Sequence, residues 1–345
     1  MLFYAFILSA FYILFTLGDY KWPNKWQRKI LQILPCILLL FIAIFRFDIG
    51  YDYPSYYKMA TPLYADELER IEPFSRYIIE CAKYFEHPYI LFILFGIPTY
   101  CIVFFVCGKT RSFQLAFWAY VFLFLFDSFG IIRQALAMSI YLYALLCLRE
   151  KRFFMYILLC ILASFFHISV LAMVPVYFIY HYFSIGIVLF SLIGLTIAFP
   201  FVISILLDNN LYAYYLHNSE DFEGGSYTRF FYVGIYLILL FLAYKKGLLI
   251  ETKRLFTVLL PAFFFPFLFG SHLGGRLSSY FYLFFIFLIP QVLSQCCKKI
   301  KMAFMLMLCA YFFAFLYVSQ RAGDKSPYTP YKTIFEVDLK HPIFK

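Results

Sequence analysis

Residues 88–107 read PYILFILFGIPTYCIVFFVC, twenty consecutive positions without a charged side chain. A helix that crosses the hydrocarbon core of a bilayer needs roughly 20 apolar residues, so this stretch predicts a membrane-spanning helix. The whole chain has the same character, because 64% of its 345 residues are hydrophobic and only 14% are charged. A soluble domain of this length cannot bury so much apolar surface. The composition therefore predicts an all-α, polytopic integral membrane protein.

Apolar segments recur along the chain and predict about twelve transmembrane helices within a single transmembrane domain, residues 1–345. The predicted spans lie near residues 1–17, 30–45, 88–107, 113–127, 131–148, 153–166, 168–183, 184–206, 230–244, 255–270, 277–295 and 302–319. Some of these are short for a lipid-exposed span, which is tolerated where a helix is shielded inside a bundle. The stretch 153–183 also permits a different division into helices.

Short clusters of lysine and arginine follow every second predicted span, with one exception near residue 181. They comprise Lys21, Lys25, Arg28 and Lys29; Lys109 and Arg111; Arg149, Lys151 and Arg152; Lys245, Lys246, Lys253 and Arg254; and Lys298, Lys299 and Lys301. The positive-inside rule assigns such clusters to the cytoplasm, so both the N- and the C-terminus are predicted to lie outside. The rule also accounts for the net charge of +10 without a nucleic-acid partner.

The predicted topology places three long segments on the outer face: loop 46–87, loop 207–229 and the C-terminal tail 320–345. Within the first loop, residues 74–85 alternate apolar and charged side chains at helical spacing, which predicts an interfacial helix. Long outer segments and short inner loops indicate that chemistry or recognition takes place outside.

The nine cysteines lie mostly inside apolar runs, and only Cys81 falls in a predicted outer loop. This distribution predicts small core residues rather than a disulfide framework. The Cys and His residues show no zinc-like spacing, and no Walker lysine follows a glycine-rich loop. The sequence therefore predicts no metal site and no cofactor.

Four arginines lie at the edges of apolar segments that the topology places on the outer face: Arg46, Arg133, Arg229 and Arg276. A single arginine at a bilayer edge snorkels to lipid phosphate at little cost, whereas four on one face indicate an anionic ligand. Because guanidinium groups match phosphate oxygens, these residues are candidates for binding a phosphate or pyrophosphate. ATP and sugar nucleotides are not supplied at the outer surface, so a lipid-linked donor is expected.

The densest polar patch reads RFDIGYDYP at residues 46–54. Gly50 and Pro54 permit a tight turn that aims Asp52 toward the helices, where it is a candidate general base. Further candidates for substrate binding in and after this patch are Asp48, Tyr53 and Tyr56. The tyrosines are expected to stack on sugar rings. The alternative is a snorkelling arginine among aromatic-belt tyrosines, which leaves the two aspartates unexplained.

Arg133 opens a helix that reads RQALAMS, and a helix start supplies free backbone N–H groups and partial positive charge for a phosphate. An ion pair between Arg133 and Asp127 is an equally good interpretation.

His167 lies in the stretch SFFHIS, where two predicted spans meet at the outer side, and it is the second candidate for the general base. Its alternative is a histidine that is hydrogen-bonded in a helix turn.

Glycines precede the other two arginines, since Arg229 follows GGSYT and Arg276 follows GG. Such glycines let the backbone approach a ligand closely and expose its N–H groups to phosphate oxygens. Both arginines are therefore candidates for the same anion site as Arg46 and Arg133.

These motifs, in this order, resemble the EpsG family of bacterial membrane proteins, which is grouped with the Wzy-type polymerases of O-antigen, capsule and exopolysaccharide. The matching residues are Arg46 with GYDY at 50–53 and Tyr56, IRQALA at 132–137, FHIS at 166–169, Arg276-Leu277 with Tyr280-Phe281, and Pro330-Tyr331. The resemblance extends over nearly the whole chain. It implies a GT-C-like glycosyltransferase that works without a metal ion.

The resemblance implies that the chain polymerises lipid-linked repeat units, with its active site facing outward from the bacterial cytoplasmic membrane. The growing glycan would move from undecaprenyl pyrophosphate to a sugar hydroxyl of the next unit, while the arginines neutralise the leaving group. The expected partners are undecaprenyl-pyrophosphate-linked oligosaccharide and membrane lipid. Chain-length regulator and flippase proteins are further candidates, and no nucleic acid is expected.

Other classes of function remain open, among them a purely structural partner of a capsule complex, which would leave the two aspartates unexplained. A flippase or transporter of the same lipid-linked glycan would favour internal repeats and polar groups at mid-membrane, whereas this chain keeps its charges at one face. A glycan ligase or membrane acyltransferase is harder to separate, because a ligase uses the same donor and differs only in its acceptor.

Overall fold

The computed structural model describes residues 1–19, 25–61, 68, 71–207, 225–321 and 326–336. The α-helices are α1 (Leu2–Asp19), α2 (Lys25–Ile44), α3 (Tyr53–Met59), α4 (Pro73–Tyr84), α5 (Ile90–Gly108), α6 (Phe113–Gly130), α7 (Ile132–Arg149), α8 (Phe153–Ser164), α9 (Val176–Tyr182), α10 (Ile185–Leu207), α11 (Gly225–Lys245), α12 (Leu249–Leu268), α13 (Gly275–Tyr282), α14 (Phe285–Leu293) and α15 (Lys298–Arg321). Short 3₁₀ turns cover Ile168–Met173 and Ile334–Glu336, and a π turn covers Gly270–Gly274. The described residues contain no β-strand.

Each of the twelve predicted spans coincides with helical structure, as expected where lipid can satisfy no backbone group. Seven helical segments within the described residues are long and apolar enough to cross a membrane: Leu2–Asp19, Ile90–Gly108, Phe113–Gly130, Ile132–Arg149, Thr228–Lys245, Gly275–Leu293 and Lys298–Gln320. The segment Gly275–Leu293 joins α13 and α14. Shorter apolar helices cover Lys29–Ile44, Phe153–Ser164, Ile168–Tyr182 and Ile185–Ala198. The all-helical, polytopic membrane fold is therefore confirmed. The count of twelve spans and the GT-C-like arrangement stay predictions.

Several of these helices contain proline, which removes a backbone hydrogen bond and would break a helix in water. Pro35 lies inside α2, Pro98 inside α5 and Pro290 inside α14, while α12 contains both Pro261 and Pro266. Within a bundle of membrane helices such positions are tolerated, because neighbouring helices and side chains satisfy the freed backbone groups. The packing is dense at the centre, where α5, α6 and α7 contact one another and α7 contacts α8.

Side-chain contacts assign the helix ends to two ends of the bundle. At the end that carries the basic clusters, Gln114 donates to Asp19 at 2.9 Å and Tyr177 donates to the carbonyl of Lys151 at 3.2 Å. At the other end, here named the site end, Gln134 donates to the carbonyl of Arg276 at 3.0 Å. The chain turns back at the site end between α8 and the 3₁₀ turn that follows it.

The C-terminal segment 326–336 packs across the site end. Its carbonyls accept the backbone N–H groups of Phe47 and Gly50 at 2.9 and 2.7 Å, through Lys332 and Pro327 respectively. The hydroxyl of Tyr331 donates to a carbonyl at the end of α2 at 2.6 Å. This segment therefore clamps the turn that carries the polar patch 46–54.

The turn itself needs an unusual backbone. Asp48 has φ 53° and Gly50 has φ 116°, and the second value lies where side chains are strongly disfavoured. A Cβ at Gly50 would also collide with the backbone carbonyl of Phe129. The prediction of a tight turn at Gly50 is confirmed, and its closeness to α6 explains why glycine is needed.

Loop 46–87 contains two helices instead of continuous coil. Pro54 lies at the start of α3, and Pro73 begins α4, which is amphipathic: Phe74 and Tyr77 are exposed while Ile79 is buried. This matches the helix predicted within residues 74–85, and its interfacial position stays a prediction. Of the other predicted outer segments, residues 208–224, 322–325 and 337–345 lie outside the described residues.

Candidate functional site

Arg133 occupies the first turn of α7 at the site end. Its Nη1 contacts Oε2 of Glu72 at 2.6 Å, and its Cζ lies 5.9 Å from the centre of the Tyr56 ring. The salt bridge is only partly exposed, at 20% for the arginine side chain and 14% for the glutamate. Its Nε is buried and has no hydrogen-bond partner among the described residues, so one donor of the guanidinium remains unused.

The start of α7 adds to this positive character. Ile131, the residue before the helix, supplies no side-chain cap, and the first intrahelical bond runs from Ala135 N to Ile131 O at 2.8 Å. The N–H groups of residues 132–134, in the first turn of α7, have no intrahelical acceptor and carry the positive end of the helix dipole. Arg133 and this helix start together form a potential anion site.

Glu72 joins three elements. It lies directly before α4, where Oε2 contacts Arg133 and Oε1 accepts the backbone N–H of Ile168 at 3.2 Å. One turn further on, the hydroxyl of Ser75 donates to the carbonyl of Phe166 at 2.9 Å. The start of α4 is thereby fixed to the segment that holds His167. The alternative pairing of Arg133 with Asp127 was wrong, because Glu72 takes that place.

His167 lies between α8 and the 3₁₀ turn, with extended backbone at φ −157°. Its Nδ1 lies 2.6 Å from Oγ of Ser169, which lies 3.0 Å from the hydroxyl of Tyr280 on α13. Burial lowers the pKa of His167 from its ordinary value to about 4, whereas Glu72 raises it, and the arginines at 133 and 276 lower it further. The imidazole is therefore neutral at pH 7.

Arg276 belongs to the first turn of α13 and is tied to α7. Gln134, the residue after Arg133, donates from Nε2 to the Arg276 carbonyl at 3.0 Å. Gln134 is 1% exposed, and its Oε1 has no partner among the described residues. At Gly274 a Cβ would collide with the backbone of Phe265, so the glycine before this helix allows α12 and α13 to approach closely.

Asp52 and Tyr56 complete the group of polar residues. Asp52 directly precedes α3 and is half-buried, and Tyr56 is buried on the first turn of that helix. Burial raises the pKa of Tyr56, Arg133 lowers it, Asp52 raises it and Arg276 lowers it. The charges of Asp52, Arg133 and Arg276 therefore all act on the Tyr56 hydroxyl. The structure thus brings together five sequence candidates, namely Asp52, Tyr56, Arg133, His167 and Arg276.

Arg46 was expected to contact the ligand, but the structure places it inside the protein. It is 2% exposed and donates to the carbonyls of Ile49 and Phe129, each at 3.2 Å, and to that of Ala43. Its Cζ also lies 5.1 Å from the centre of the Phe92 ring. Burial lowers the pKa of Arg46, while nearby tyrosines raise it. In this position the guanidinium holds the turn that precedes Asp52.

Tyr53, the first residue of α3, likewise lies inside the protein. The Tyr53 ring is fully buried and stacks on Phe92 with a centroid distance of 4.1 Å and an interplanar angle of 5°. One face of the ring is thus already covered, which does not favour the expectation that Tyr53 binds sugar. Asp48 is half-buried and interacts electrostatically with Tyr53, and its role in substrate binding stays a prediction. The exposed tyrosine of the patch is Tyr51, at 47%.

Arg229 lies on the first turns of α11, half-buried and within electrostatic range of Tyr282. The rings of Tyr282 and Tyr232 stack at a centroid distance of 4.0 Å, which joins α11 to α13. The electrostatic interaction with Tyr282 connects Arg229 to α13. Its role in an anion site stays a prediction.

Sequence reasoning missed four residues of this group: Glu72, Gln134, Ser169 and Tyr280. Three of them lie within or beside the motifs quoted above, yet nothing in a single sequence shows that Ser169 and Tyr280 touch. Among the described residues, no group of three or more His, Cys, Asp or Glu side chains is arranged to hold a metal ion. Whether the chemistry is independent of metal stays a prediction.

Searches of curated proteins and of solved structures find no match to the chain. A family model does match, over residues 29–333, and its description is the EpsG family. The match includes most of α2, all of α3 to α15 and every residue of the site described above. The chain therefore belongs to the EpsG family, which makes it a membrane protein of the polysaccharide-polymerase type.

Proposed function

We propose that this protein polymerises lipid-linked oligosaccharide repeat units at the outer face of the bacterial cytoplasmic membrane. In each cycle the bond between C1 of the reducing-end sugar of the growing glycan and the pyrophosphate oxygen breaks. A new bond forms between that carbon and a hydroxyl oxygen of the next lipid-linked unit. The hydroxyl proton passes to a base, and undecaprenyl pyrophosphate leaves with the electron pair.

The observation that carries this proposal is the convergence of Arg133, Arg276 and the start of α7 at one end of the bundle. Negative charge develops on the leaving pyrophosphate, and donors that are already in place stabilise it without reorganisation. The partly exposed guanidinium of Arg133 and the first-turn N–H groups of α7 are such donors. The Glu72 contact holds the guanidinium in position.

The acceptor requires a base and a surface for a sugar ring. Asp52 and His167 both lie in the cluster and are the two candidates for the base. Tyr51, rather than Tyr53, offers an exposed ring, and its edge lies against Tyr328 at a centroid distance of 5.5 Å. Burial raises the pKa of Tyr328, with Asp127, Tyr51 and Asp52 among the further causes, so Asp52 lies on the same side as this exposed ring.

The test is an assay in which purified full-length protein in liposomes receives lipid-linked repeat units from cells of its source that lack the protein. Products are resolved by size, with and without EDTA. We expect the wild type to produce a ladder of polymers in both conditions. Arg133→Lys should lower the rate by about 10²-fold, because lysine keeps the charge but loses the fork geometry.

The matched control is Arg149→Lys, which changes an arginine of the same helix at the opposite end. The Arg149 Cζ lies 4.9 Å from the Phe287 ring, away from the site end, and this variant should retain the wild-type rate. A single transfer to a foreign acceptor without a ladder would indicate a ligase. Movement of intact lipid-linked glycan across the bilayer without any transfer would indicate a flippase. Loss of the ladder in EDTA would contradict metal independence alone.

A further inference from the structure

Three side chains form a hydrogen-bonded chain that ends on His167. Tyr280 on α13 is fully buried, and its hydroxyl lies 3.0 Å from Oγ of Ser169. Ser169 Oγ in turn lies 2.6 Å from Nδ1 of His167. Both distances are those of ordinary to short hydrogen bonds, so each contact holds one proton whose direction must be assigned.

Counting donors and acceptors assigns these protons. The hydroxyl of Tyr280 contacts only Ser169 among the described residues, so it must donate there or leave a buried O–H without an acceptor. Ser169 then has its own O–H to donate, and the Nδ1 lone pair of His167 is its acceptor. In this arrangement each hydroxyl proton of the chain has a partner.

The two other arrangements each leave a hydroxyl without an acceptor. If Nδ1–H donates to Ser169 and Ser169 donates to Tyr280, the buried Tyr280 O–H has no acceptor among the described residues. If Ser169 accepts from both neighbours, its own O–H has none. An unsatisfied buried donor costs about 1–3 kcal/mol, which counts against the arrangement that leaves the fully buried Tyr280 O–H unpaired. Ser169 is half-buried, and only the first arrangement pairs both hydroxyl protons within the protein, so that arrangement is favoured.

This direction settles which nitrogen of a neutral imidazole carries the proton. When Nδ1 accepts from Ser169, the ring proton must be on Nε2. The imidazole is neutral at pH 7 because burial lowers the pKa of His167 to about 4. The charged groups that act on it are Glu72 beside α4, Arg133 on α7 and Arg276 on α13, while Tyr280 acts through Ser169.

We infer that His167 is a hydrogen-bond donor and not the general base: Ser169 and Tyr280 lock its neutral ring with the proton on Nε2. This inference rests on the proposed function, since it assigns the Nε2–H to an oxygen of the anionic leaving group beside Arg133 and Arg276. Asp52 is then the base for the acceptor hydroxyl. Ser169 and Tyr280 are positioning residues that act through His167.

The direct test is ¹⁵N NMR of the full-length protein in detergent micelles at pH 7, labelled at histidine. His167 is assigned by comparison with His167→Gln. We expect the His167 Nε2 resonance to be that of a protonated nitrogen and Nδ1 that of an unprotonated one. In Tyr280→Phe the preference should weaken, because Ser169 no longer receives a proton from the phenol. A protonated Nδ1 in the wild type would overturn the inference.

Replacements of His167 give a second, independent test. The amide of glutamine brings an N–H near the Nε2 position but has no basic nitrogen, whereas the amide of asparagine lies near Nδ1. A donor role predicts that His167→Gln stays within about tenfold of the wild-type rate while His167→Asn and His167→Ala fall by about 10²-fold. Equal loss in all three variants would contradict a donor role.

The pH profile separates a general base from a hydrogen-bond donor. If His167 were the base, the acid limb of the kcat/KM profile would disappear in His167→Gln; a donor role leaves that limb in place. The two proposals fail separately. A wild type that makes no ladder refutes the polymerase proposal, while the tautomer of His167 is still decided by NMR.

Discussion

Nη1 of Arg133 and Oε2 of Glu72 lie 2.6 Å apart, although 61 residues separate the two side chains in the sequence. The pair joins the start of α7 to the start of α4, and Oε1 of the same glutamate binds the segment that carries His167. A single carboxylate therefore sets the distance between an arginine and a histidine that come from different helices. Removing it should disturb both at once.

We predict that Glu72→Gln lowers both stability and turnover. Hydrogen bonds to charged groups contribute about 1.5–3 kcal/mol, and this one is partly buried, so the melting temperature should fall measurably. Turnover should fall because Arg133 loses its fixed orientation. The control is Glu80→Gln, an exposed glutamate on α4. Equal melting temperatures for Glu72→Gln and the wild type would show that the pair contributes nothing to the fold.

Gln134→Leu keeps the size of a side chain that is 1% exposed and removes its hydrogen bond to the Arg276 carbonyl. Loss of one neutral hydrogen bond costs about 1 kcal/mol, which is roughly a fivefold change in an equilibrium constant. We expect KM for the lipid-linked substrate to rise by about that factor, because the spacing of the two arginines relaxes.

Gln114→Leu is the matched control, since it removes a glutamine contact to Asp19 at the opposite end. A rise of KM in both variants would mean that the effect is not specific to the arginines.

Gly50→Ala should prevent the turn from closing on α6. The residue has φ 116°, and an added Cβ would collide with the carbonyl of Phe129. Backbone strain alone costs about 1–3 kcal/mol, so we expect a large loss of folded protein and of activity. Gly108→Ala is the control, because a Cβ there meets nothing within 4 Å. Size-exclusion profiles and melting curves of both variants provide the measurement.

Removal of residues 326–345 should abolish activity. The segment 326–336 supplies the carbonyls that bind the N–H groups of Phe47 and Gly50, so its loss exposes both groups and releases the turn before Asp52. A shorter deletion of residues 337–345 leaves these hydrogen bonds in place and should retain activity. Comparable activity of the two truncated proteins would show that the clamp is dispensable.

Stability should fall as the pH drops from about 6.5 to about 4. Burial lowers the pKa of His167 to about 4, so between these values the unfolded chain binds a proton that the folded chain does not. The stabilisation is present above the ordinary histidine pKa and is lost as the pH falls through the folded value. His167→Gln should show a smaller change in melting temperature over this interval. An identical pH dependence in both proteins would contradict the lowered pKa.

The sequence by itself determined the membrane class and the positions of the helices. Its apolar segments are too costly to expose to water and must lie in lipid or in a helical core. Residues 88–107 and 113–127 therefore predict helices regardless of their neighbours. The motif RQALA and the glycines before Arg276 also predict Arg133 and Arg276 as anion-binding residues. These signals are local, and local patterns are what a single sequence displays.

Only the tertiary structure decided what each charged residue does. Arg46 and Arg133 both stand at the edge of an apolar segment, yet one is folded inward onto backbone carbonyls and the other pairs with Glu72 and keeps a free donor. Glu72 is one of several glutamates in its loop and carries no signal of its own. Its role, like the chain from Tyr280 to His167, depends on contacts between distant segments, which exist only once the helices have packed.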